Sequence, residues 1–153
     1  QETNRVLALV DGVLIEKEDH FIDEWDDDEL RSVSRHLQHC AKNGGIVVGA
    51  FQDQTCVGFV SIESDRFGSR MQYQELSYCH ITRKLRGKGI GKQLFQHAEQ
   101  IAREYGIERL YLSTHPALAS QAFYTAMGCV LAEEINPEIL AREPLDLQLE
   151  KIL

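Results

Sequence analysis

The segment from Leu85 to Lys92 constrains the fold of this chain more than any other. It reads LRGKGIGK and places three glycines and three cations in eight residues. A strand pattern, roughly Met71 to Thr82, precedes it, and a helical pattern follows it. Glycine has no Cβ to block a ligand, and the free N–H groups of a helix N-terminus favour an anion. The segment therefore predicts a strand, a phosphate-binding turn and a helix. The apolar stripe of that helix is Ile90, Leu94, Phe95, Ala98, Ile101, Ala102 and Tyr105.

The residues before this unit predict two helices and a hairpin. Apolar spacing indicates a short helix from Asn4 to Leu14. A second helix begins at the acidic run Asp26–Asp28 and stops at Asn43-Gly44-Gly45. Two apolar runs within residues 46–62 predict a hairpin, and residues 63–70 predict a loop.

The third strand is expected to be central, because neither of its faces is purely polar. Strict alternation places Glu75, Ser77, Cys79 and Ile81 on one face, and Leu76, Tyr78, His80 and Thr82 on the other. Beyond the stop at Gly106, the pattern predicts a strand at IERLYLS, a helix ending at Met127-Gly128, a strand from Cys129 and an alternating strand through residues 145–150. This order predicts a mixed α/β domain of the α+β type, and 153 residues suit one domain, 1–153.

Composition excludes several classes of function. A net charge of −8 and a pI near 5.2 argue against a nucleic-acid partner and favour a cationic or neutral one. The four cysteines form no C-x-x-C pair, so neither a disulfide framework nor a zinc knuckle is indicated. No apolar run reaches the roughly 20 residues of a membrane span, and no signal peptide is evident. We therefore expect a cytoplasmic protein without a membrane partner.

Two familiar phosphate motifs fail on this loop. A P-loop would need glycine where Arg86 stands and a Ser or Thr hydroxyl where Gln93 stands. A dinucleotide fingerprint starting at Gly87 would need its third glycine at Lys92. A pyrophosphate held by backbone N–H groups remains the ligand that best suits the turn.

Two segments carry a resemblance to a known family. Arg86-Gly87-Lys88-Gly89-Ile90-Gly91 resembles the R/Q-x-x-G-x-G/A acyl-CoA signature of the GNAT superfamily of N-acetyltransferases. SQAFYTAMGC, from Ser120 to Cys129, resembles its second signature, and the β-α-β-α-β order between about residues 45 and 130 also matches. The resemblance implies a mixed, mostly antiparallel central sheet flanked by helices on both faces. A GNAT domain usually opens with a strand, and none is evident before Val6, which leaves open that this strand is missing.

The resemblance also implies residue roles, with acetyl-CoA as the acyl donor and no metal. Backbone N–H groups from Gly87 to Lys92 would hold the CoA pyrophosphate. His80 and Ile81 would pair with the pantetheine arm and polarise the thioester, a role that contributes about 3–4 kcal/mol. Tyr124 matches the tyrosine that protonates the leaving thiolate. The implied cofactor-binding residues are His80, Ile81, Arg86, Gly87, Lys88, Gly89, Ile90, Gly91, Lys92, Ser120 and Phe123.

The group that takes the proton of the amine has three candidates. An amine of pKa about 10 is mostly protonated at pH 7, so a base or a water must accept its proton. Glu75, in ELSYCHI, stands where the histone-acetyltransferase branch of the family has its base; His115 is the second candidate, and a water is the third. Two positions depart from the family: Ala117 replaces a common CoA-contacting Asn, and Leu112 replaces a glutamate base of some N-terminal acetylating members.

Two further groups have alternative interpretations. The acids at residues 23–29 either cap a helix or line a site for a cationic amine. His36-x-x-His39-Cys40 has helical spacing for a metal but no fourth ligand nearby, so a helix surface is favoured.

We therefore expect an N-acetyltransferase that moves an acetyl group to a primary amine by direct attack in a ternary complex. The acceptor would be an amine-bearing small molecule or a protein amine, and a homodimer stays open. The alternative is a non-catalytic acyl-CoA-binding or sensing domain.

Overall fold

The computed structural model describes residues 2–11, 13–22 and 25–153. Its strands are β1 (Glu2–Val10), β2 (Val13–Ile22), β3 (Ile46–Gln52), β4 (Thr55–Phe67), β5 (Tyr73–Ile81), β6 (Arg109–Thr114), β7 (Val130–Leu131) and β8 (Leu147–Ile152). Its helices are α1 (Asp27–Lys42), α2 (Ile90–Glu104), α3 (Leu118–Ala126) and α4 (Pro137–Arg142), with a 3₁₀ turn at Arg83–Leu85. These elements fall into two compact units, residues 1–25 with 112–151 and residues 26–111 with 152–153. None of the helices in the described ranges is long and apolar enough to cross a membrane.

The N-terminal segment is a β-hairpin, so the helix predicted from Asn4 to Leu14 is wrong. β1 pairs antiparallel with β2, and Val10 stands opposite Val13. Asp11, in the turn between them, has φ +49°, and an Asp-Gly pair between two apolar runs favours such a two-residue turn. The run RVLALV is apolar almost throughout, so it satisfies a helical period and a strand equally well. Two strands thus precede α1.

Strands β3 to β8 form one mixed sheet in the order β3-β4-β5-β6-β8-β7. β5 and β6 run parallel, while β3–β4, β4–β5 and β7–β8 are antiparallel. In the unit of residues 26–111, the helices flank the sheet over a core that water does not reach, formed by Val60, Ile62, Tyr73, Phe95, Ala98, Leu110 and Tyr111. This confirms the predicted fold class and the central position of β5.

The predicted hairpin is confirmed, but its second strand is longer than expected. Asp53 and Gln54 adopt φ +48° and +67° between β3 and β4, as a tight hairpin turn requires. β4 then continues to Phe67, so the loop predicted at 63–70 is wrong for residues 63–67. The Phe67 ring packs against Tyr73 at 5.5 Å and Tyr111 at 5.1 Å between centroids. This aromatic packing stabilises residues 63–67 of β4, whose polar sequence predicts a loop.

The C-terminal segment contains a helix that the periodicity did not predict. The Asn136 side chain accepts hydrogen bonds from the amides of Glu138 and Ile139, and Pro137 occupies the first helical position of α4. β8 is buried on both faces, including Gln148 and Glu150. These polar residues hold the segment before α4, because Gln148 bonds the Asn136 backbone and Glu150 accepts from the Glu133 amide.

Candidate functional site

The turn at residues 87–89 has a backbone conformation that residues other than glycine adopt only with strain. Gly87 and Gly89 have φ of +76° and +81°, in the left-handed region. A Cβ at either position would meet no atom within 4 Å, so conformation rather than crowding requires glycine here. Gly91 differs, because it lies in the first turn of α2 with an ordinary helical backbone.

The first turn of α2 leaves its N–H groups for an outside acceptor. Gly89 is the N-cap residue, and within the described chain no side chain caps this helix and no acid stands in its first turn. The first N–H to bond inside the helix is that of Gln93, which donates to the Gly89 carbonyl at 3.1 Å. The amides of Ile90, Gly91 and Lys92 precede it, which suits a pyrophosphate.

Arg86 ties the turn to the end of β5. Its Nε donates to the Ile81 carbonyl at 3.0 Å, although the side chain is exposed. The Thr82 amide donates to the Val57 carbonyl on β4 at 2.9 Å. The turn therefore starts from a fixed point on the sheet.

β5 leaves β6 after three paired residues. The parallel ladder pairs Tyr73, Gln74 and Glu75 with β6, whereas the antiparallel ladder with β4 continues to Ile81. On β4, a Cβ at Gly58 would lie 2.8 Å from the His80 carbonyl, so glycine lets the two strands approach closely at this end. The His80 ring stacks on Phe59 with 5.5 Å between centroids. Such a divergence of strands can admit an extended ligand along a strand edge.

A bulge in β5 at Ser77 breaks the predicted alternation of faces. Ser61 stands opposite Tyr78, but its neighbour Ile62 stands opposite Leu76, which leaves Ser77 as an extra residue. Contacts place Ser77 and Tyr78 on the same side. The Ser77 hydroxyl donates to Glu63, and the ring of Tyr78 packs edge-on against His36, which also bonds Glu63. The assignment of Ser77 and Tyr78 to opposite faces is therefore wrong.

The same stretch of β4 is irregular as well. Between Ile62 and Arg66, three residues of β4 face the single residue Glu75 of β5. The Gln74 side chain donates to the carbonyls of Glu63 and Ser64, at 2.8 and 3.3 Å. It thus bonds backbone carbonyls in the stretch of β4 where the strand pairing is irregular. Glu75 thus lies where both ladders of β5 change, and irregular strands of this kind are common next to active sites.

Sequence reasoning missed a cluster of polar side chains at this place. The Glu63 carboxylate accepts hydrogen bonds from Ser77 and from His36 Nε2, the latter at 2.7 Å. The hydroxyls of Ser61 and Ser77 lie 2.8 Å apart, and Ser61 is fully buried. The sequence pattern predicts a loop at Glu63 and a helix surface at His36, so only recognition of the β4 extension pairs them.

The residues around α1 do not converge on a metal. Burial and the Glu63 carboxylate raise the pKa of the Cys40 thiol to about 11, so it is protonated at neutral pH. No group of three His, Cys, Asp or Glu side chains suited to a metal occurs among the residues the structure describes. Asp26 caps α1 in a reciprocal pair with Glu29, while Asp23 and Glu24 lie outside the described residues.

In the other unit, α3 carries the residues of the second signature. Tyr124 is 9% exposed, and the rings of Phe123 and Tyr124 lie edge-on at 5.0 Å. Ser120 lies earlier on the same helix, half-buried. His115 Nδ1 accepts a hydrogen bond from the Ala117 amide at 3.1 Å. A neutral ring then carries its proton on Nε2, so His115 could act as a base only by losing this bond.

A central strand that leads through a glycine turn into an uncapped helix suits an anionic ligand, and the two signatures indicate an acetyl-CoA-dependent acyltransferase. Residues 11–129 match the sequence profile of the Acetyltransferase (GNAT) family, and the chain therefore belongs to that family. The resemblance identified in the two signatures is confirmed.

Individual proteins match this chain either over a short stretch or at low sequence identity. N-alpha-acetyltransferase 80 of Mus musculus is 40% identical over 56 residues, which is 37% of this chain but 17% of that protein. The structure of nourseothricin acetyltransferase superposes with a TM-score of 0.70 at 18% identity, over 99% of this chain and 86% of that one. The PaiA N-acetyltransferase of Thermoplasma acidophilum, solved with coenzyme A, gives 0.61 at 20% identity, over 84% and 80% of the two chains. At these identities the solved structures show a shared fold.

Proposed function

We propose that this protein is an N-acetyltransferase that transfers an acetyl group from acetyl-CoA to a primary amine by direct attack in a ternary complex. The observation that carries the proposal is the start of α2, where a left-handed glycine turn leads into a helix without a side-chain cap in a GNAT-family domain. The predicted cytoplasmic location and the homodimer stay predictions.

The donor is bound mainly by backbone. The amides from Gly87 to Lys92 hold the pyrophosphate, with Arg86, Lys88 and Lys92 as exposed cations beside it. The backbone at His80 and Ile81 pairs with the pantetheine arm, and Ser120 and Phe123 on α3 complete the cofactor contacts. The same backbone polarises the thioester carbonyl, and the bulge of β5 lies three residues before His80.

The chemistry needs a proton acceptor and a proton donor. A carboxylate of the β4–β5 region takes the proton of the ammonium group, and Glu75 is the candidate that the sequence predicts. Tyr124 gives a proton to the thiolate of coenzyme A as the C–S bond breaks. No residue forms a covalent bond with the acetyl group, so Cys79 is not required.

The acceptor is an amine on a small molecule or a protein. A net charge of −8 favours an approaching cation. Polyamines, aminoglycosides, amino acids and protein lysine or N-terminal amines share the required group.

A thiol-release assay tests the proposal. Acetyl-CoA would be presented with spermidine, kanamycin, lysine and a peptide with a free N-terminus, and release with at least one amine is expected. Tyr124→Phe should lower kcat about 100-fold and leave acetyl-CoA affinity unchanged, because it removes a general acid. Cys79→Ser should retain turnover. Acetyl-CoA binding by calorimetry without release in any reaction would instead indicate the sensing domain.

A further inference from the structure

The cluster around Glu63 is organised as a chain of donors that ends on one carboxylate. Ser61 can donate to Ser77, Ser77 donates to Glu63, and His36 Nε2 donates to the same Glu63 oxygen. A carboxylate only accepts, so the direction of these bonds is fixed by Glu63. The chain runs from the fully buried Ser61 to His36, whose side chain is 39% exposed.

The position of Ser77 connects this chain with the reaction. Ser77 is the bulged residue of β5, two residues beyond the end of the parallel ladder at Glu75. It lies four residues before Ile81, about 13 Å along an extended strand. In the proposed function the backbone at His80 and Ile81 pairs with the donor and polarises its thioester, so the thioester lies at this end of the strand and a water can bridge the attacking amine and Ser77. Ser77 is also partly accessible, and beyond its bonds to Ser61 and Glu63 its hydroxyl oxygen keeps a lone pair for a further donor such as a water.

Glu63 also has a route to solvent. A cavity of about 190 Å³ is lined by Glu63, Ser64, Arg66, Gln74 and Tyr105, among others. Its lining mixes these polar side chains with Ile46 and Ile107, and its volume is large enough for several waters. Glu63 itself keeps 21% of its side chain exposed. In the part of the chain that the structure describes, the titratable or charged groups around Glu63 are His36 and Cys40 on α1, Arg66 on β4, Glu75 and Tyr78 on β5, and Tyr105 after α2.

We propose that Glu63, acting through the Ser77 hydroxyl, accepts the proton that the amine loses, and that His36 is a positioning residue that holds the carboxylate. The inference rests on the proposed function. The ammonium form of the acceptor has three protons on nitrogen, and the amide product keeps one. As the C–N bond forms and the C–S bond breaks, one proton ends on the thiol of coenzyme A. The other passes through a bridging water to Ser77 while Ser77 gives its own proton to Glu63, which releases it to solvent.

The test compares Glu63→Gln with Asp65→Asn, an exposed carboxylate of the same irregular segment. The amide oxygen that Glu63→Gln introduces can still accept from Ser77 and His36, so the fold is kept, as a thermal melt would verify. At pH 7, with an amine used by the wild type, Glu63→Gln should lower kcat/KM about 100-fold. Asp65→Asn should leave it within about threefold, and Ser77→Ala should fall between them.

The pH profile separates a proton acceptor from a structural residue. As the pH rises toward the amine pKa of about 10, the free amine needs no base, and the deficit of Glu63→Gln should shrink toward the wild-type rate. A deficit that stays constant up to pH 10, or a loss in Glu75→Gln with none in Glu63→Gln, would overturn the inference while the transferase function stands. Absence of turnover in the wild type would overturn both.

Discussion

Two helices of the same unit begin in opposite ways. The N-terminus of α1 is closed by its own side chains: Asp26 accepts from the Glu29 amide, Glu29 accepts from the Asp26 amide, both at 2.8 Å, and acids fill the first turn. The N-terminus of α2 starts from a left-handed glycine without a side-chain cap, with cations at residues 86, 88 and 92. Both ends present the same backbone N–H groups and the same positive end of a helix dipole. The difference is that α1 is closed by its own side chains, whereas α2 leaves its first amides open, as the proposed pyrophosphate site requires.

Distortion of the turn at α2 should have the largest effect. Gly89→Val places a β-branched residue at φ +81°, at a cost of about 1–3 kcal/mol, and the amides lose their alignment if the turn relaxes. We expect acetyl-CoA affinity to fall about tenfold to 100-fold in calorimetry.

Two variants calibrate this result. Gly106→Val introduces the same strain at φ +70° after α2, again with open space around it, and should leave acetyl-CoA affinity unchanged. Lys88→Ala removes a helper cation and should weaken binding by less than about threefold. If Lys88→Ala weakened binding more than Gly89→Val, the side chains rather than the backbone would hold the pyrophosphate.

An acid introduced into the first turn of α2 should stabilise that helix, as the acids of α1 do, and weaken anion binding. Lys92→Glu is favourable to the helix dipole and should raise the free energy of unfolding by about 0.3–1 kcal/mol. The same charge repels a pyrophosphate, so acetyl-CoA affinity should fall about tenfold, and less at 1 M salt than at 0.1 M. Lys92→Gln controls for loss of the cation alone. Affinity that rises or stays constant in Lys92→Glu would contradict an anion site at this end.

The two helix starts also show what the sequence could predict. The acidic run before α1 and the glycine turn before α2 are local signals, because capping and left-handed backbone depend on neighbouring residues. Family signatures added roles for His80 and Tyr124 that no local pattern carries. The Glu63 cluster could not be predicted in this way, since it depends on a bulge at Ser77 and on pairing between residues 27 positions apart. The N-terminal hairpin was not predicted for a different reason. Its apolar run fits both the helical and the strand period, and only the Asp-Gly pair indicates a hairpin turn.

Removal of the cap of α1 should have the smallest effect and should not reach the donor site. Asp26→Ala deletes one acceptor of the reciprocal pair and leaves the Glu29 amide to water, which should lower the free energy of unfolding by about 1 kcal/mol in urea titrations. Asp28→Ala removes an exposed acid of the same turn and should cost less than about half as much, because its contact with Arg31 is a surface pair. Acetyl-CoA affinity should be equal in both variants and the wild type. If Asp26→Ala lost affinity or turnover while it remained fully folded, the acids before α1 would border the acceptor site as well as cap the helix. Both helix starts would then contact ligands, the amine at α1 and the donor at α2.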